Sequence, residues 1–150
     1  MNDKAHPLLE GKRTLVTGAR GFIGQSLLTA LMAHRADVAA LDMVPPDNKV
    51  AEGFTAYTGD IGDRAFVDEC VGRCKPDVVF HLAAFKERSS DVDDFYKALG
   101  VNVLGSLNLF SALVKQGGVS SVVVLGTAEE YGKNESPFAE SMREAPVTAY

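Results

Sequence analysis

The stretch Thr14-Leu-Val-Thr-Gly-Ala-Arg-Gly-Phe-Ile-Gly24 places three glycines three residues apart, directly after an apolar run and directly before an amphipathic one. Few local patterns narrow a fold as much. Gly18 lets the backbone turn tightly out of a strand, Gly21 removes the Cβ that would hold a phosphate away, and Gly24 lets a helix lie close on a sheet. The helix that opens there presents unpaired N–H groups and partial positive charge to an anion. Glycine is also the default turn residue, so the spacing alone decides little. Its setting decides more: Arg13–Thr17 reads as a buried strand, and Ile23, Leu27 and Leu31 share one helical face. The turn is expected to hold a dinucleotide pyrophosphate, with Gly18, Arg20, Gly21, Phe22, Ile23 and Gly24 around it.

The rest of the chain alternates between strand and helix patterns. After a helix from residue 22 to about 34, Asp37-Val-Ala-Ala-Leu-Asp42 reads as a second strand, ended by Pro45-Pro46. A short strand is expected at 54–57, then a helix capped by Asp63 and running through Arg73, and a fourth strand at 78–82. A long helix follows from 93 to about 116, with Phe95, Leu99, Val103, Phe110 and Val114 as its apolar stripe and Gly117-Gly118 as its stop. The fifth strand covers 121–125. Near-continuous apolar strands alternating with helices predict an α/β, doubly wound parallel sheet of Rossmann type, with residues 1–11 as an extension and 12–150 as the cofactor domain. Five strands fall short of the six usual in this form, so the C-terminal strands are expected to be missing.

Composition removes other classes. A net charge of −5 argues against nucleic acid or an anionic membrane as the main partner. The apolar runs fall short of the roughly 20 residues that span a bilayer, and the first ten residues lack a signal-type apolar core, so a cytoplasmic protein is expected. Cys70 and Cys74 sit four apart on a helix and read as reduced, partly buried thiols. His6, His34 and His81 are too few and too scattered to suggest a metal site.

Asp42 closes the second strand 18 residues after Gly24, the position of the carboxylate that accepts hydrogen bonds from an adenosine ribose. A carboxylate there repels a 2′-phosphate, which favours NAD over NADP; Arg20, inside the glycine turn, is the counter-argument. His81 lies at a strand end among apolar residues and reads as a hydrogen-bonded core histidine. Lys86, just beyond it, is placed either at cofactor or substrate phosphates or in solvent.

Six stretches in order resemble the extended short-chain dehydrogenase/reductase family, the NAD-dependent nucleotide-sugar epimerases and dehydratases, over about residues 12 to 150. Thr17-Gly-Ala-Arg-Gly-Phe-Ile-Gly24 is similar to that family's TGxxGFIG turn. Gly59-Asp60-Ile61 resembles the segment whose Asp binds the adenine, and His81-Leu82-Ala83-Ala84 the strand-four motif under the cofactor. Val101-Asn102-Val-Leu-Gly105 resembles the helix motif NVxG, and Leu125-Gly-Thr-Ala-Glu-Glu-Tyr-Gly132 the active-site stretch SSxxVYG. Pro146-Val-Thr-Ala-Tyr150 is similar to the start of PxxxYxxxK.

The resemblance implies that Tyr150 exchanges a proton with a sugar hydroxyl while hydride moves to or from the nicotinamide, and that Thr127 hydrogen-bonds the same oxygen. A hydroxyl suits both tasks, being donor and acceptor. It implies a cofactor role for Asp60, Ile61, Leu82, Ala83, Ala84 and Asn102, for which a satisfied helix polar group is the plainer alternative at Asn102. In the common dehydratases a Thr-Asp-Glu run supplies an acid and a base; here Ala128 stands at the acid's place while Glu129 remains. That puts an epimerase slightly ahead of a dehydratase or a 4-ketoreductase. A reductase of another ketone, a redox-sensing protein and a non-catalytic dinucleotide-binding module stay open. The family's lysine, four residues after the tyrosine, lies beyond Tyr150, so the 150-residue chain alone is expected to be inactive. A full-length form is expected to be a homodimer acting on a nucleotide-diphosphate sugar.

Overall fold

The computed structural model describes residues 9–46, 53–87 and 91–147. Among the described residues five strands form one parallel sheet: β1 (Arg13–Thr17), β2 (Asp37–Asp42), β3 (Thr55–Thr58), β4 (Val78–His81) and β5 (Ser121–Val124), in the order β3-β2-β1-β4-β5. The direction of winding reverses between β1 and β4. That reversal leaves a crevice at the carboxyl ends of the strands, where doubly wound sheets bind ligands.

The pleat of each central strand sorts side chains between two cores. Val16, Val38 and Ala40 point to one face and meet α1 (Phe22–Ala33) through Leu28 and Leu31. Leu15, Ala39, Leu41 and Val79 point to the other, where α2 (Arg64–Cys74) supplies Val67 and Val71, and α4 (Ser106–Gln116) supplies Leu109, Ala112 and Leu113. Helices on both faces are the expected doubly wound arrangement. β1 and β2 have the ends read from the sequence, β4 and β5 each stop one residue earlier, and β3 lies one residue later, beginning at Thr55 rather than 54.

Two helix faces differ from the pattern expected. In α1 the buried residues are Gly24, Leu28 and Leu31, while Ile23 is exposed. In the helix Val92–Gln116, α3 (Val92–Ala98) passes into a π-helical segment (Leu99–Gly105) and then α4. Its buried face is Ala98, Gly105, Leu109, Ala112 and Leu113; the bulky stripe of Phe95, Leu99, Val103, Phe110 and Val114 faces outward. The reason is steric. A Cβ on Gly105 would come within 2.6 Å of Ile61 Cγ2, so the helix can pass this close to Ile61 only with a glycine facing it. This 25-residue helix bears on the membrane reading. It is long and apolar enough to span a bilayer, with a mean hydropathy of 1.4 in its best window, although Leu109 and Leu113 seat it on the sheet and α2.

Ends are fixed locally. Asp63 caps α2, accepting from Ala65 N at 2.9 Å and Phe66 N at 3.2 Å, as its sequence position predicts. Asp91 caps α3 by accepting from Asp93 N. At the amino ends of the strands, Asp77 accepts from the backbone and guanidinium of Arg13, tying β4 to β1. Cys70 is buried and Cys74 half-buried, both reduced; the hydrogen bond to Cys74, then burial, pushes the Cys70 thiol up.

Candidate functional site

A cleft of about 550 Å³ opens over the carboxyl ends of β1, β2 and β4. It is lined by the glycine turn (Gly18, Arg20, Gly21, Phe22, Ile23, Gly24), by Asp42 and Val44 after β2, by Leu82, Ala84 and Lys86 after β4, and by Leu125 and Gly126 after β5. Leu125, Gly126 and Ala84 also border a smaller lobe of about 170 Å³, which adds His81, Ala83, Asn102, Ser106 and Thr127. One groove thus runs from Asp42 at one end to Thr127 at the other.

The turn is shaped by close approach. Gly18 has φ +66°, and a Cβ there would lie 2.7 Å from Ala83 N and from Leu82 C. A Cβ on Gly24 would collide with the Gly18 carbonyl and Ala19. Gly21 forms the N-cap of α1 without any side-chain cap bond, unlike the aspartate caps of α2 and α3. The first turn of α1 therefore faces the cleft with backbone N–H groups and no acidic side chain, a fitting cradle for a diphosphate. The side chains of Phe22 and Ile23 are exposed, so what these two offer an anion is main chain.

Asp42 is held by two backbone donors: Arg20 N to one carboxylate oxygen at 2.8 Å and Val44 N to the other at 3.0 Å. An ionised carboxylate has lone pairs to spare for two ribose hydroxyls. Asp60 and Ile61 line neither lobe. Asp60 accepts from Gly62 N at 2.8 Å, and the Ile61 side chain is buried in the core, so Ile61 can meet a ligand only through its backbone.

The Leu82–Lys86 segment follows β4 directly. Leu82 N donates to Thr17 O at 3.1 Å and Ala83 N to Thr17 Oγ1 at 3.2 Å. Asn102 lines the smaller lobe and brackets Phe85: its Oδ1 accepts from Phe85 N at 2.8 Å and its Nδ2 donates to Phe85 O at 3.0 Å. Its amide holds the wall of the site. His81 is buried, as a core histidine should be, with Nδ1 2.6 Å from Thr17 Oγ1 and Nε2 2.9 Å from Ser106 Oγ. Burial keeps its pKa below the ordinary imidazole value, so it is neutral near pH 7. Thr17 and Ser106 went unread in the sequence. A threonine ending an apolar strand, and a serine four residues after Asn102 on the same helix, were the available signals.

Thr127 stands at the mouth of the smaller lobe and caps the 3₁₀ turn Ala128–Tyr131, accepting from Glu129 N at 3.2 Å. A threonine hydroxyl that accepts this bond retains its proton for a second partner. Glu129 lines neither lobe. Tyr150 lies outside the described residues.

Residues 14–150 match the NAD dependent epimerase/dehydratase family. The chain belongs to that family. It is 31% identical over 147 residues to a UDP-glucose 4-epimerase of Rhizobium meliloti, a match covering 95% of this chain and 44% of that protein. The fold superposes with a TM-score of 0.81 on Bordetella bronchiseptica WbmG solved with NAD and UDP, at 27% identity, covering 96% of this chain and 47% of that one. It superposes at 0.79 on MoeE5 with UDP-glucuronic acid and NAD, at 33% identity, covering 91% and 44%. The chain thus spans less than half the length of these relatives.

Proposed function

We propose that this chain holds NAD along the β1/β4 crevice and serves hydride transfer at a carbinol or ketone carbon of a nucleotide-diphosphate sugar. The carrying observation is the pairing of an uncapped helix N-terminus behind Gly18–Gly21 with a carboxylate fixed at Asp42. The first suits a pyrophosphate and the second a ribose diol. Arg20 and Lys86 add positive charge along the same cleft. NAD, when bound, supplies the acceptor and donor of hydride. Thr127 hydrogen-bonds the substrate oxygen from the smaller lobe, and Tyr150 exchanges its proton. Family membership and the complexes of WbmG and MoeE5 support this reading.

Epimerisation leads among the reactions, because Ala128 stands where a dehydratase of the common kind carries its acid. A dehydratase or a 4-ketoreductase are the alternatives within the family. The outward stripe of Phe95, Leu99 and Val103, each between 39% and 48% exposed, supports pairing of two copies along this helix. The −5 charge argues against nucleic acid or an anionic membrane as the main partner, and membership of the family supports a cytoplasmic protein.

Calorimetric titration with NAD and NADP tests the cofactor assignment. NAD is expected to bind more tightly than NADP, and Asp42→Asn to weaken NAD by roughly tenfold while narrowing the difference between the two. Equal affinity for both nucleotides in the unsubstituted chain would refute the role given to Asp42.

A further inference from the structure

The hydrogen bonds behind the cleft form a single directed chain. Ser106 Oγ lies 2.6 Å from the Asn102 carbonyl, which can only accept, so the Ser106 proton goes there. The Ser106 oxygen is then left to accept from His81, which places the imidazole proton on Nε2. In a neutral ring Nδ1 is consequently an acceptor, and the Thr17 hydroxyl donates to it. The Thr17 oxygen in turn accepts from Ala83 N. The chain starts at Asn102, whose own amide grips Phe85. It ends two residues earlier on the same segment.

The residues between these grips alternate in what they contact. Ala83 and Phe85 are pinned by their main chain to Thr17 and Asn102, while Leu82, Ala84 and Lys86 line the main lobe. The anchoring side chains come from three different elements: Thr17 from β1, His81 from β4, and the Asn102–Ser106 pair from the junction where π-helical winding returns to α-helical. π-Helical turns inside α-helices concentrate at functional sites; this one carries Asn102 and is followed directly by Ser106, the first residue of α4.

We propose that Ser106 and His81 are positioning residues for the dinucleotide, fixing the Leu82–Lys86 wall before the ligand arrives. The proposal rests on the NAD reading above. A wall held in advance spares the bound state the entropy of ordering it, so loosening the chain weakens binding without removing any atom that touches the ligand.

The test is amide hydrogen exchange at Ala83 and Phe85 together with calorimetric NAD affinity, for the unsubstituted chain, Ser106→Ala, Ser106→Thr and a control, Ser111→Ala, on the exposed side of α4. Ser106→Ala leaves the His81 Nε2 proton without its acceptor. It is expected to speed exchange at both amides and to weaken NAD by roughly tenfold, while amides of β2 and α1 keep their protection. Ser106→Thr, which restores the hydroxyl, should recover both readouts, and Ser111→Ala should change neither. Unchanged exchange at Ala83 and Phe85 in Ser106→Ala, with NAD binding intact, overturns the proposal and leaves the cofactor reading standing. Failure of the unsubstituted chain to bind NAD overturns the cofactor reading and, with it, the purpose assigned to the clamp. Loss of protection throughout Ser106→Ala, unrelieved in Ser106→Thr, overturns it in favour of a residue needed only for folding.

Discussion

Thr17 and His81 stand side by side on β1 and β4, 2.6 Å between hydroxyl oxygen and Nδ1, both almost wholly buried. The bond requires a neutral imidazole, since a protonated Nδ1 could no longer accept from Thr17. Burial lowers the pKa of His81 in the fold, so the unfolded chain takes up this proton at a higher pH than the folded one. The stabilisation is therefore complete above the ordinary histidine pKa of about 6.5 and is lost as pH falls through the folded value. Thermal midpoints should drop between about pH 7.5 and pH 5.5. A His81→Gln variant should be less stable at the upper pH yet decline less steeply; parallel declines in the two proteins would show that another group drives the loss.

Two glycines should respond to alanine in opposite directions. Gly18→Ala places a Cβ against the Leu82–Ala83 backbone at a φ of +66°, so it should cost more than about 1 kcal/mol and weaken NAD binding. Gly72 lies within α2 with nothing within 4 Å of its missing Cβ. Gly72→Ala should stabilise by about 0.5–1 kcal/mol through backbone entropy. Urea midpoints of the two variants check both signs, and destabilisation by Gly72→Ala would contradict the open space seen there.

Features that the sequence made legible are those whose cause is local. The glycine turn, the Asp63 cap, the strand ending at Asp42 and the stop at Gly117 each depend on a few adjacent residues, and each is found where expected. The faces of the long helix were not legible, because periodicity selects the bulky stripe of Phe95 and Val103. The face that packs is set by Ile61, dozens of residues earlier, which leaves room at Gly105 only for a hydrogen. Asn102 was recognisable as a site residue, but not its partner, the backbone of Phe85. The Thr17–His81–Ser106 chain joins residues from three distant segments, and no single stretch of sequence carries it.

Asp77 offers a last check, at the opposite end of the sheet from the cleft. Its carboxylate accepts from Arg13 Nη2 at 2.7 Å, Nε at 3.1 Å and backbone N at 3.0 Å. The Arg13 side-chain hydrogen bonds, then that of its backbone, hold the Asp77 carboxyl at about 2, below the ordinary 3.8. The unfolded chain thus protonates this group first on acidification. Its contribution is fully present above the ordinary carboxylate pKa and disappears as pH falls through the folded value. The pair is solvent-accessible, so its strength is screened by water and salt. Asp77→Asn should lower the urea midpoint at neutral pH by a modest amount, more at low salt than at high. The difference from the unsubstituted chain should close as pH falls from about 4 towards 2. A gap that persists undiminished in acid would assign the effect to the lost acceptor at Arg13 N rather than to the charge.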